Sequence, residues 1–191
     1  MNQSRFAQRS PGVVYALLAA VLFGVSTPIA KLLLGEIPAV LLAGLLYLGS
    51  GIGLGMWLFC RRLFSGGRHP KETSLRASNL PWLSLAILSG GLLGPVLLMI
   101  GLARTTAANA SLLLNLEGVF TAGLAWFVFR ENFDRRIAAG MILITLGGAL
   151  LTWSGHLQLR VPWADLTIAA ACLCWAIDNN FTRNVSAGDP I

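Results

Sequence analysis

Charged residues are scarce in this chain: Asp, Glu, Lys and Arg make up 12% of its 191 residues, whereas soluble domains carry about 25%. Apolar residues reach 55%, and the mean hydropathy is +0.71. These values exclude an ordinary soluble domain and predict an integral membrane protein. The net charge of +6 does not indicate nucleic-acid binding, because the cations lie in loops beside apolar segments, where they set membrane topology.

Side chains that support catalysis or metal binding are also rare. Cys60, Cys172 and Cys174 lie in or beside apolar segments, a placement that indicates neither a disulfide nor a metal site. The sequence has no nucleophile–base pair, no His-Glu-x-x-His motif and no paired aspartates at metal spacing. It therefore predicts a protein that is not an enzyme and that needs no cofactor.

Six apolar segments are long enough to cross a membrane as helices, since each crossing needs about 20 residues. They predict an all-α polytopic bundle with spans at about 12–34, 39–59, 81–103, 107–129, 137–153 and 163–182. Helix kinks are expected at Pro28 in the first span and at Pro95, next to several glycines, in the third. The second span carries two G-x-x-x-G pairs, Gly49/Gly53 and Gly51/Gly55, which favour helix packing.

The distribution of cations predicts the orientation. Ten cations fall on one side of the predicted spans and three on the other; the ten are Arg5, Arg9, Arg61, Arg62, Arg68, Lys71, Arg76, Arg130, Arg135 and Arg136, and the three are Lys31, Arg104 and Arg160. Cytoplasmic loops are enriched in Lys and Arg. We therefore expect a multi-pass protein of the cell membrane with a cytoplasmic amino terminus.

The fourth span divides into two faces when it is projected as one helix. Bulky side chains, among them Leu112, Leu116 and Phe120, occupy one face, which the pattern assigns to lipid. The opposite face carries small and polar residues, including Asn115 and Gly118, and is expected to contact protein or a wet cavity.

Polar residues inside the spans are the candidates for a substrate path, because polar groups are costly against lipid. The set comprises Ser26, Thr27, Lys31, Asn109, Ser111, Asn115, Glu117, Thr121, Asp178 and Asn179. Two members have alternative interpretations. Lys31 is either a snorkelling anchor or a cavity-lining cation, and Glu117 either exchanges a coupling proton or only fixes helix packing.

The first and sixth spans resemble each other. Residues 23–31 (FGVSTPIAK) align without gaps onto residues 175–183 (WAIDNNFTR), matching aromatic, small, polar and cationic positions. Five spans separate the start of the two copies, so they cross in opposite directions, which is the signature of an inverted-repeat transporter. The second copy has only begun when the chain ends, which predicts a fragment of a chain about 100 residues longer.

Four segments carry a resemblance to a known family: residues 22–31, 103–132, 140–151 and 173–183, most specifically the pattern LE-x-VFTA-x-LAW of the fourth span. The sequence resembles the EamA family of ten-helix transporters in the drug/metabolite transporter superfamily. The resemblance implies two five-helix inverted repeats around a central cavity, with the first repeat at 1–154 and the start of the second at 155–191. This family usually has Pro at the position of Gly118 and Gly at that of Arg130.

Two functions remain open at this point. The first is a secondary transporter that exports or imports a small metabolite by alternating access, in contact with the lipid bilayer and coupled to a proton or ion. The second is a non-transporting membrane half-unit or structural partner that pairs with another chain, for instance as a homodimer. The sequence does not identify the substrate.

Overall fold

The computed structural model describes residues 10–64, 79–130, 134–152 and 163–187. Within these ranges the chain is helical and has no strand, which confirms the predicted all-α fold. The elements are α1 (Ser10–Leu33), α2 (Ala39–Phe64), α3 (Leu80–Ala86), a π-helical segment (Ile87–Leu93), α4 (Gly94–Ala103), α5 (Ala107–Leu113), α6 (Leu116–Phe127), α7 (Arg135–Thr152) and α8 (Trp163–Ala187).

Four stretches of the described residues are long and apolar enough to cross a membrane: Val13–Leu33, Ala39–Phe64, Leu80–Ala103 and Ala107–Phe127. They coincide with the first four predicted spans. The fifth and sixth predicted spans are helical as α7 and α8 but are not among these four. The predicted repeat boundary at residues 154 and 155, and the cations at positions 5, 9, 68, 71, 76 and 160, lie outside the described residues.

Helix α8 lies at the centre of the described structure. It packs along the third span, which comprises α3, the π segment and α4, and along the fourth span, which comprises α5 and α6. Ile168, Ala171 and Cys172 are fully buried and join Leu98 and Leu102 of α4 in one apolar cluster. Helix α8 is therefore packed on two sides. It is less apolar than the four spans because it carries Asp and Asn side chains, which belong to the candidate site described below.

Glycines of the third span allow α8 to approach closely. A Cβ on Gly101 would lie 2.5 Å from Ile168 Cγ1, and one on Gly94 would lie 2.8 Å from Trp175 Nε1. Small residues let helix backbones approach in this way. The helix packing predicted at the glycine pairs of the second span is absent from the described structure, since a Cβ on Gly49 or Gly53 would meet nothing within 4 Å.

Candidate functional site

The fourth span is interrupted at Leu114 and Asn115, between α5 and α6. The amides of Asn115 and Glu117 each donate to a carbonyl three residues back, at Leu112 and Leu114, and both bonds are 3.2 Å long. Asn115 Nδ2 also donates to the carbonyls of Ser111 (3.3 Å) and Leu112 (3.0 Å). Such local bonds from a side chain compete with the backbone hydrogen bonds of a regular helix. The sequence pattern predicts one continuous helix here, whereas the structure has a turn.

Glu117, at the start of α6, is bonded to α8. Asn179 Nδ2 donates to Glu117 Oε1 over 2.9 Å and lies 3.4 Å from Thr121 Oγ1. Glu117 and Thr121 are half-buried, and Asn179 is exposed. The structure thus joins three of the predicted site residues in one cluster, the Glu117 cluster, which offers a carboxylate, an amide and a hydroxyl to a polar ligand.

Asn180 anchors the same part of α8 and was not predicted as a site residue. It is 4% exposed, and its Nδ2 donates to the carbonyls of Thr121 (3.1 Å) and Ala176 (2.8 Å). A buried amide without such partners would be costly. The signal in the sequence was a second amide directly after Asn179 in an apolar helix. Asn180 therefore fixes α8 against α6, while Asn179 remains accessible.

The π-helical segment leaves the Gly90 carbonyl without a backbone donor. At the end of this segment the Gly94 amide donates to the Ser89 carbonyl, five residues back. In the same register, the amide that would reach Gly90 belongs to residue 95, and Pro95 has no N–H. This is the place where the sequence predicts a kink, and such single-turn π segments occur frequently at functional sites.

Two side chains from different helices supply the missing donors. Tyr47 of α2 donates its hydroxyl to the Gly90 carbonyl over 3.1 Å, and Trp175 of α8 donates Nε1–H to it over 3.0 Å. Asp178 lies beside Gly90, where an added Cβ would collide with its carboxylate, and accepts a bond from Thr182 (2.9 Å). Neither Tyr47 nor Trp175 was predicted as a site residue. The signal in the sequence was an aromatic side chain with an O–H or N–H group inside an apolar span, since such groups find a polar partner where they leave water.

Lys31 lies away from the Glu117 cluster. Its Nζ donates to the carbonyls of Leu102 (2.8 Å) and Ala103 (3.1 Å), the last two residues of α4. The carbonyls at a helix C-terminus have no partner within the helix and attract cations. The described geometry is that of a cap on the third span, contributed by the first.

Ser26 and Thr27 lie together on α1, and that helix continues through Pro28 to Leu33. Thr27 is 4% exposed, and Ser26 Oγ donates to the Phe23 carbonyl of its own helix over 2.6 Å. In the described structure, no hydrogen bond joins either hydroxyl to Glu117 or Asn179.

The two faces of the fourth span are oriented differently from the prediction. Leu116 and Phe120 pack against the apolar cluster, so their assignment to lipid is wrong. Ser111, Asn115 and Gly118, which we call the polar stripe, are exposed, as is Asn109. The reason is that α8, the main neighbour of α6, packs against the edge that carries Glu117, Thr121 and Phe120, rather than against the small residues.

The geometry defines a class of protein: a polytopic α-helical membrane protein with hydrogen-bonded polar groups between its spans. Residues 10–153 match the EamA-like transporter family, and the chain belongs to this family. An uncharacterized transporter of Methanothermobacter thermautotrophicus is 26% identical in an alignment 198 positions long, which covers 97% of this chain and 57% of the relative. No solved structure matches.

Other relatives cover shorter segments. The uncharacterized transporter YyaM of Bacillus subtilis is 27% identical in an alignment 127 positions long, which covers 63% of this chain and 41% of the relative. A probable 4-amino-4-deoxy-L-arabinose-phosphoundecaprenol flippase subunit, ArnE of Pseudomonas aeruginosa, is 43% identical over 79 residues, which are 41% of this chain and 66% of the relative. The chain therefore spans about half the length of the two transporters.

Proposed function

We propose that this protein is a secondary transporter of a small polar or amphipathic metabolite that works by alternating access. The observation that carries the proposal is the hydrogen bond from Asn179 to Glu117, which joins the fourth span to α8 beside an exposed polar stripe. Polar groups within membrane helices generally face a bundle interior or a water-filled cavity and mark substrate or ion pathways. Family membership supports the transporter class.

Contact between aligned residues supports an inverted repeat. Phe23 and Trp175 are the first aligned pair of the two copies, and their rings meet edge to face at a centroid distance of 6.4 Å. In an inverted repeat, equivalent residues touch each other where the local two-fold axis passes between them. Such an axis in the membrane plane relates inverted repeats, with the substrate site at their interface. We assign residues 1–154 to the first repeat and 155–191 to the second, in a cell membrane with the amino terminus cytoplasmic.

Glu117 is the proposed coupling group. When it is ionised, its carboxylate accepts the Asn179 bond; when it is protonated, it becomes a donor and a weaker acceptor. Protonation therefore loosens the bond between α6 and α8 and frees the Asn179 amide for a ligand. Substrate binding and proton binding then act on the same contact, which is the condition for coupling two gradients.

The test compares Glu117→Gln with the wild-type protein in liposomes. Glutamine keeps the shape but does not titrate, so it should retain ligand exchange and lose gradient-driven accumulation. A gradient of one pH unit drives about tenfold accumulation per coupled proton, and this accumulation should disappear. The cargo is first identified by a resistance screen with toxic metabolites, including amphipathic lipid-linked sugars, which the name of the ArnE relative suggests.

Glu36→Gln is the matched control, because Glu36 is an exposed carboxylate in the turn between α1 and α2. It should accumulate substrate like the wild type. Normal gradient-driven accumulation by Glu117→Gln would contradict the coupling role, and absence of any flux in the complete wild-type protein would contradict the transporter itself.

A half-unit that pairs with another chain is the second candidate function. The polar stripe favours it, because Ser111, Asn115 and Gly118 are exposed on a membrane-spanning helix and need a covering partner. The ArnE relative is named as a subunit. The mass of the protein in detergent separates the two functions: a monomer that transports supports the first, and a stable dimer without flux supports the second.

A further inference from the structure

The bonds to the Gly90 carbonyl connect three helices at one atom. Tyr47 donates to it from α2 and Trp175 from α8. In the π-helical register the backbone donor to this carbonyl would be the amide of residue 95, which is a proline and has no N–H. The carbonyl therefore depends on side chains for its hydrogen bonds. Removing both donors would leave a polar group with no partner at the middle of a membrane helix, which is unfavourable.

The two parts of the third span on either side of this carbonyl both pack along α8, but different further contacts hold them. Helix α4 is fixed, since Gly101 is in close contact with α8 and Lys31 binds the α4 carboxyl end. Helix α3 is a seven-residue arm that also packs along α8, and its last residue, Ala86, is buried. Its Trp82 lies against Phe181 of α8 at a ring-centroid distance of 5.2 Å. This aromatic contact can separate without breaking a hydrogen bond.

Phe181 also meets the fourth span, where Phe129 lies edge to face at 6.1 Å. Trp82 and Phe129 thus close on Phe181 from the third and fourth spans at the same end of α8. That end lies beyond the Glu117 cluster, because Phe181 is two residues after Asn179 along α8. Movement of the α3 arm would separate Trp82 from Phe181 and leave the contact between Phe129 and Phe181 in place.

We propose that Tyr47 and Trp175 form a latch on the Gly90 carbonyl, which holds the third span in its π-helical register and keeps the α3 arm closed against Phe181. The inference rests on the proposed function, because the arm would open the path that leads from the Glu117 cluster. Tyr47 and Trp175 are positioning residues: they act through the Gly90 carbonyl. Release of the latch lets the π segment change register, and α3 swings about Gly90 and Gly91.

The test measures distances between spin labels in the full protein, reconstituted in lipid nanodiscs. One pair is placed at the exposed residues Leu85 of α3 and Leu173 of α8 and reports on the arm. The control pair is placed at the exposed Val128, which follows α6, and at the same Leu173. The three native cysteines are replaced, and the labels leave the aromatic contacts intact.

The latch variant is Tyr47→Phe combined with Trp175→Phe, which keeps an aromatic ring at each position and removes both donors. An open state that is minor in the wild type should rise to about 10% of molecules or more, seen as a second distance for the arm pair alone. Each single variant retains one donor and should keep one distance, so the effect is more than additive. Unchanged arm distances, or equal changes in both pairs, would overturn the proposal.

Rescue separates the latch from simple loss of packing. Pro95→Ala restores an amide five residues after Gly90, in position to donate to that carbonyl. Added to the latch variant, it should return the arm to a single distance, whereas a persistent second distance would overturn the proposal. The spin-label distances can be measured whether or not the protein transports. Absence of flux in the wild type would contradict the proposed function. Unaltered distances in the latch variant, together with normal accumulation, would contradict the latch alone.

Discussion

Gly101→Ala tests whether close approach of α4 to α8 holds the bundle together. The added Cβ would lie 2.5 Å from Ile168 Cγ1, 2.6 Å from Thr167 Oγ1 and 2.8 Å from the Ala164 carbonyl oxygen. Carbon atoms pack best at about 3.5–4.0 Å. The Ala164 oxygen belongs to the backbone and cannot rotate away, so the two helices must separate.

The magnitude follows from two opposing terms. Overpacking of this kind costs about 1–3 kcal/mol, and three contacts at one atom place Gly101→Ala toward the upper end. Replacing a helical glycine by alanine returns about 1 kcal/mol. The expected net loss in the free energy of unfolding is therefore about 2 kcal/mol. Gly53→Ala in α2 is the matched control, because its Cβ meets nothing within 4 Å and only the favourable term remains.

Thermal unfolding in detergent, followed by tryptophan fluorescence, provides the measurement. The two variants should differ by about 3 kcal/mol, which is the overpacking term, since the helix propensity gain is common to both. For a chain of 150–250 residues each kcal/mol shifts Tm by about 2–4 °C, so a separation of about 6–12 °C is expected. A Tm for Gly101→Ala equal to or above that of Gly53→Ala would refute the close packing of α4 on α8.

Two further predictions concern helix ends and use the same thermal assay. Lys31→Met removes the cap on the Leu102 and Ala103 carbonyls and should cost about 1–2 kcal/mol, most of which Lys31→Arg should recover; equal stability of the two variants would argue against the cap. Arg130 has φ 53°, a left-handed conformation that glycine adopts without strain. Arg130→Gly should therefore raise Tm by a few degrees while Arg130→Ala does not, and a rise with both would contradict the strain.

The number and order of the first four spans could be predicted from sequence, because long apolar runs admit few alternatives in a membrane protein. The Arg130 position shows how a family pattern carries physical information. The EamA family usually has glycine there, and the φ of 53° explains the preference. The departure was visible in the sequence, but its meaning became clear only once the backbone conformation was known.

The packing faces could not be predicted, since a helical projection shows how residues differ around a helix but not which neighbour each face meets. The spacing G-x-x-x-G occurs at Gly49 and Gly53 and again at Gly90 and Gly94. Within the described residues, only the second of these two pairs faces α8, with Gly90 beside Asp178 and Gly94 beside Trp175. Likewise, Leu116 and Phe120 face the apolar cluster because α8 lies against that edge of the fourth span.

Helix α8 connects the latch to the Glu117 cluster through its own rigidity. Trp175 and Asn179 are one helical turn apart, yet the first donates to Gly90 of the third span and the second to Glu117 of the fourth. Their bonds are 3.0 Å and 2.9 Å long, and a hydrogen bond beyond about 3.5 Å contributes little. A shift of α8 by well under 1 Å away from the groove between the two spans therefore weakens both bonds together. Because linkage between two sites is reciprocal, a ligand that drew Asn179 from Glu117 and shifted α8 in this way would also loosen the bonds to the Gly90 carbonyl, and release of the proposed latch would favour that ligand to the same degree.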